Sequence, residues 1–205
     1  MEVRGVDGPL ALGGSKQRAL LALLLLNANR VVSRERLIDG LWGEEPPETA
    51  VTTVQVYVSR LRKLLPEGAL LTRSRGYMLE VAPDEFDLEW FESLRASGDV
   101  EGALALWRGP ALAEFSEPFA RVESARLEDL RLATLEERIE ADLARGLNED
   151  VARELEALIA EHPHRERLRA QRMRALYPLR QAGGGARGVS RGAQRAGRAR
   201  DRAGR

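Results

Sequence analysis

Apolar residues recur at helical spacing along most of the chain, interrupted by short runs that suit strands. Ala19–Leu26 is an eight-residue stretch that is apolar almost all round. It predicts a helix from Lys16 to about Asn27, buried on most sides, with Ser15 as its N-cap. Ser33 is a second N-cap candidate. Behind it Leu37, Ile38, Leu41 and Trp42 form one apolar face, and Gly43 ends the helix. Gly43-Glu44-Glu45-Pro46-Pro47 reads as a loop. A third helix is predicted from about Thr49 to Leu65, closed by Pro66. Leu70–Arg73 and Tyr77–Val81 read as a hairpin around Ser74-Arg75-Gly76. A smaller hairpin is predicted at the start, with Val3-Arg4 and Pro9–Leu12 flanking Val6-Asp7-Gly8.

From Phe86 onward only helical spacing is seen. Phe86, Trp90, Phe91 and Leu94 share a face, and Leu104 and Trp107 belong to a short element before Gly109-Pro110. Pro118 opens a long helix to about Leu143, carrying Leu127, Leu130, Leu135, Ile139 and Leu143. Val151, Leu155, Leu158 and Ile159 define the next helix. Leu168, Met173, Leu176 and Tyr177 mark a last one, stopped by Pro178. Short amphipathic helices in succession suggest repeat-like helical packing.

The third helix carries the most information. On a wheel of about 100° per residue, Ala50, Val54, Tyr57, Val58, Leu61, Leu64 and Leu65 gather on one side. Thr52, Val56, Ser59 and Lys63 lie opposite, flanked by Gln55, Arg60 and Arg62. No carboxylate occurs between Thr49 and Leu65. Ordinary surface helices mix both signs, whereas a cationic and neutral face suits the major groove of duplex DNA. With a helix before it and a hairpin after it, the segment reads as a winged helix-turn-helix. Arg73 and Arg75 lie at the wing, where phosphates or a minor groove would meet them.

Composition sharpens this picture. The 205 residues carry 32 basic and 32 acidic side chains, a net charge of zero that by itself argues against a nucleic-acid binder. Divided by segment, residues 1–83 carry +2, residues 84–180 carry −8 and residues 181–205 carry +6. Such asymmetry points to segments with different partners. There is no cysteine, so neither disulfides nor cysteine-ligated zinc enter. The longest apolar run is eight residues, against about 20 for a membrane span, and no signal-peptide core follows Met1. The expected location is cytoplasmic.

Other chemistry finds little support. Gly13-Gly14-Ser15-Lys16 lacks the order and preceding strand of a phosphate loop. His162 and His164 flank Pro163 and cannot face one metal from a regular helix. Glu136, Glu137 and Asp142 share their helix with Arg138 and Arg145, as on a solvated charged face. Trp90, Trp107, Phe115 and Phe119 read as core. No catalytic residue, cofactor or metal is expected.

The residues also carry a resemblance. Gly13–Ser33, Leu37–Gly43 followed by Pro-Pro, Thr53–Lys63, Arg73–Tyr77, Leu104–Leu112 and Glu156–Arg169 together resemble the Streptomyces antibiotic regulatory protein (SARP) family, over roughly residues 3–178. The resemblance implies a mainly α fold with small antiparallel β: an OmpR-type winged helix over residues 1–83, then a tetratricopeptide-like bacterial transcriptional activator domain over 84–180. It implies a transcriptional activator that binds direct repeats near promoters, as dimers or side-by-side pairs, and recruits RNA polymerase. It places Ser59, Arg60 and Arg62 at DNA, with Arg73 or Arg75 as the wing arginine. It puts the polymerase contact in the loop bearing Glu44, Glu45, Pro46 and Pro47. Bottom-up, Thr52, Gln55, Val56 and Arg60 are candidates for base edges, and Arg62, Lys63, Arg73 and Arg75 for phosphates. A second reading stays open: the acidic helical part is the working element, a protein-interaction module, and DNA binding is weak or vestigial.

Three departures from the family pattern stand out. The family begins with one more strand before Glu2-Val3, and Phe91–Leu106 is short. Residues 181–205 hold seven Gly, seven Arg and six Ala, too little to bury a core, so a disordered tail is expected. Codons for Glu-Ala-Leu-Glu-Ala-Tyr read one base out of frame give Gly-Gly-Ala-Arg-Gly-Val, the string at Gly184–Val189. The tail thus reads either as a frameshifted end that truncates the helical domain or as a genuine basic arm.

Overall fold

The computed structural model describes residues 2–5, 8–83 and 85–181. The chain divides into two compact units, residues 1–132 and residues from Ala133 onward.

The first unit opens with a two-stranded antiparallel ribbon, β1 (Arg4–Gly5) and β2 (Gly8–Pro9), pairing Arg4 with Pro9. It is tighter than the expected hairpin, and Val6 and Asp7 of its turn lie outside the described residues. Helix α1 (Ser15–Leu25) follows. Ser15 is its first residue and not its cap; Gly14 occupies the cap with no side-chain bond. Strand β3 (Val32–Ser33) leads into α2 (Arg34–Trp42), where the Ser33 hydroxyl accepts the Arg36 amide at 3.1 Å as the sequence predicts. Gly43 closes α2 at φ 69°, a left-handed value that favours glycine. Helix α3 (Ala50–Arg62) is a turn shorter than expected, because residues 63–65 wind on as a looser turn before Pro66. The wing is β4 (Leu70–Arg73) and β5 (Gly76–Leu79).

The three strands order as β3-β5-β4, all antiparallel. The two-residue β3 has no periodicity to announce it. At its pairing of Ser33 with Gly76 the backbones are in close contact. A Cβ on Gly76 would sit 1.9 Å from the Val32 carbonyl oxygen, so only glycine fits.

Leu20, Leu21 and Leu24 of α1, Leu37 and Leu41 of α2, and Val54, Val58 and Leu61 of α3 are fully buried in one cluster with Val32, Leu70, Tyr77 and Leu79 of the sheet. Each such leucine contributes about 1.5–3 kcal/mol by leaving water. The same cluster takes in Phe115, Phe119 and Ala120, from the segment after the wing. Lys16 reaches the buried Glu117 at 3.4 Å and the Leu41 carbonyl at 2.6 Å. Asn29, at φ 61°, donates its amide to the Leu79 carbonyl and its side chain to the Val81 carbonyl, tying the turn after α1 to the end of β5 and the residues just beyond it.

Two short helices, α4 (Asp87–Ser97) and α5 (Val100–Ala105), form a helical pair, with the Phe91 and Trp107 rings edge to face at 5.6 Å. Trp90 is not in the core: it is 52% exposed, one position off the buried Phe91 stripe. The long helix α6 (Pro118–Ala144) begins where Pro118 predicts.

In the second unit the last turns of α6 are followed by α7 (Asn148–Glu161) and α8 (residues 166–181). Ile139, Val151, Leu155, Leu168 and Ala175 are buried. The buried Glu136 carboxylate receives Arg165 at 2.9 Å and Arg167 at 3.6 Å, and its backbone oxygen accepts from Gln171. Glu136 is thus an inward anchor and no part of a solvated face. Arg174 pairs with Glu140 at 2.6 Å. The helix runs past Pro178 to residue 181, and Met173 and Tyr177 face outward instead of marking the buried side. Residues 182–205, and with them the Gly/Arg/Ala tail, lie outside the described residues. Among the described residues no helix is long and apolar enough to cross a membrane.

Candidate nucleic-acid interface

Helix α3 splits cleanly. Ala50, Val54, Val58 and Leu61 are buried, while Thr52, Gln55, Val56, Ser59, Arg60, Arg62 and Lys63 are exposed. The wheel drawn from sequence therefore matches the burial, with Tyr57, Leu64 and Leu65 half-buried at its edge. The outward face carries three cationic side chains and no anion.

One of those cations is engaged. Arg62 donates Nε to the Leu70 carbonyl at 2.8 Å and Nη2 to the Thr72 hydroxyl at 2.7 Å. This fork bolts the end of α3 to β4, so Arg62 fixes the angle between helix and wing. Arg60 and Lys63 remain on the outward face.

At the wing, Arg73 lies 3.6 Å from Glu80 across the hairpin. Arg75 is exposed in the two-residue connection between β4 and β5. The sheet brings in a neighbour that helical periodicity does not reveal. The Arg34 amide donates to the Arg75 carbonyl at 3.3 Å, and Ser33 pairs with Gly76. Arg34 at the start of α2 therefore adjoins the wing, and Arg36 is exposed two residues further on. Between them, Glu35 has its carboxyl held below the usual carboxylate range by the backbone amide at the helix start and by the Ser33 hydroxyl. The signal for these arginines lies in long-range strand pairing, not in local spacing.

The loop from Gly43 to Thr49 leads from α2 into α3, and Glu44, Glu45, Pro46, Pro47 and Glu48 are all exposed.

Two family profiles match the chain. Transcriptional regulatory protein, C terminal, covers residues 9–79, and the bacterial transcriptional activator domain covers residues 92–183. Regulatory protein DnrI of Streptomyces peucetius is 37% identical over 188 residues, 79% of this chain and 69% of that protein. The chain belongs to the SARP family of transcriptional regulators. Regulatory protein AfsR of Streptomyces coelicolor is 43% identical over 183 residues, 82% of this chain but 18% of that protein. The chain thus spans under a fifth of the AfsR relatives and half of transcriptional regulatory protein EmbR of Mycobacterium tuberculosis. A solved structure of EmbR, in complex with a low-affinity phosphopeptide, superposes with a TM-score of 0.74 at 34% identity, covering 84% of this chain and 52% of that one. The mainly helical fold with a small antiparallel sheet agrees with that SARP relative.

Proposed function

We propose that this SARP-family chain is a sequence-specific transcriptional activator whose α3 reads the major groove while the wing holds the backbone. The observation that carries this reading is the anion-free outward face of α3, bolted by Arg62 to a wing bearing Arg75. Residues 1–83 supply the reading head and residues 84–180 the activator domain. Thr52, Gln55, Val56, Ser59 and Arg60 address base edges. Lys63, Arg73 and Arg75 neutralise phosphates, and Arg62 holds helix and wing in register. Work on the chromosome places the protein in the cytoplasm, and no step of this function calls for catalysis.

A single head with about four to six phosphate contacts binds modestly and loses affinity steeply with salt. Direct repeats occupied by paired copies supply the remainder through linkage of two sites. The exposed Glu44–Pro47 loop is free to meet RNA polymerase while α3 is occupied. A mobility-shift titration on the promoter beside the gene, from low to moderate salt, tests the reading. A specific complex with a steep salt slope supports it. Equal affinity for promoter and random duplex overturns it in favour of an interaction module built on the acidic helical part.

A further inference from the structure

Val56 is 41% exposed near the centre of the outward face of α3, one turn from the exposed Thr52. Neither residue is there for helix propensity, since β-branched side chains are poorer helix formers than Lys, Glu or Ala at an exposed site. Neither serves the core, which is filled by Ala50, Val54, Val58 and Leu61 from the opposite side. An exposed valine is ordinary on a protein surface, and Val51 of the same helix is exposed as well. Here two methyl-bearing side chains lie at i and i+4 on the outward face of a helix without any anion, directly before Arg60 on the next turn.

We infer that α3 reads DNA in two chemically different steps. Thr52 and Val56 form an apolar reader for the 5-methyl groups of thymine, and Arg60 reads guanine. The inference rests on the proposed major-groove docking of α3 and names the bases recognised. Thymine is the base that presents a methyl in the major groove, and guanine presents the paired acceptors that suit a guanidinium. Successive turns of α3 are about 5.4 Å apart along its axis, and base pairs stack about 3.4 Å apart. A methyl read by Val56 therefore falls about two base pairs from the guanine, and one read by Thr52 about three to four, both on the side nearer the N-terminus of α3.

The experiment selects bound duplexes from a random pool with the full chain, then replaces each thymine of the selected half-site by deoxyuridine. This deletes the methyl and leaves every hydrogen bond intact. The expected result is a loss of about fourfold at one or two thymines, from the worth of one buried methyl group. That loss should shrink to nothing in Val56→Ala or Thr52→Ser. Both substitutions lie on the exposed face, and the deoxyuridine arm needs no protein variant at all. A selected sequence whose affinity is indifferent to every thymine methyl, or whose methyl effect persists unchanged in both variants, overturns the inference while leaving DNA reading intact. A pool that yields no enriched sequence overturns the groove-docking reading and this inference together.

Discussion

Arg62 Nε donates to the Leu70 carbonyl at 2.8 Å, so the last turn of α3 and the first residue of β4 move as one piece. The guanidinium is planar, and its second bond to Thr72 fixes the remaining rotation. Arg62→Ala should cost about 1–2 kcal/mol of stability through the two lost bonds. It should weaken binding to specific and random duplex alike, because the angle between helix and wing is released. Chemical denaturation and mobility shift on the same preparation check both halves.

Arg60 should behave differently. Arg60→Ala is expected to cost about 1–3 kcal/mol at a selected site and little on random DNA, as for a bidentate contact to guanine. An equal loss on both would mark it as a phosphate contact.

Lys63 and Arg75 are expected at phosphates. Removing either should lower affinity across sequences and reduce the slope of log affinity against log salt by about 1. A salt titration of each single variant against the parent reads this directly.

Gly76→Ala should unfold the wing rather than adjust it. The added methyl would lie 1.9 Å from the Val32 carbonyl oxygen, an atom of backbone that cannot swing aside. The expected loss exceeds about 2 kcal/mol, in the range of severe steric substitutions. Thermal unfolding of the variant measures it, and a change under 0.5 kcal/mol would contradict the pairing of β3 with β5.

In the second unit, the hydrogen bond from Arg174 holds the Glu140 carboxyl below its usual range, outweighing the opposing effect of burial. A depressed carboxylate pKa stabilises the fold above the ordinary carboxylate range, and that contribution fades as pH falls through the depressed value. Arg174→Gln should return Glu140 towards its ordinary pKa, as followed by carboxyl carbon NMR across an acid titration. An unmoved titration would dissociate the pair.

The outward and inward faces of α3 were legible because helical spacing sorts Thr52, Val56 and Lys63 from Val54, Val58 and Leu61 without help from the rest of the chain. The cap at Ser33, the stop at Gly43 and the start of α6 at Pro118 were legible for the same reason: each is local chemistry. What escaped is what distant residues decide. Strand β3 exists only because β5 pairs with it. In the sequence Arg62 is one more cation on a basic face, and its role as a bolt depends on Leu70 and Thr72, which only the fold brings beside it. Trp90 matched a helical stripe, but the buried position on α4 goes to its neighbour Phe91.

Phe115, Phe119 and Ala120 join the core formed by α1, α2, α3 and the sheet, and Glu117 receives Lys16 there. The order of synthesis acquires a meaning from this. When the ribosome has released the last wing residue, every base-reading side chain has been made, yet the cluster beneath it is still open on one side. Closure waits for some forty further residues, so a nascent chain interrupted in that interval carries a complete reading surface on an incomplete support.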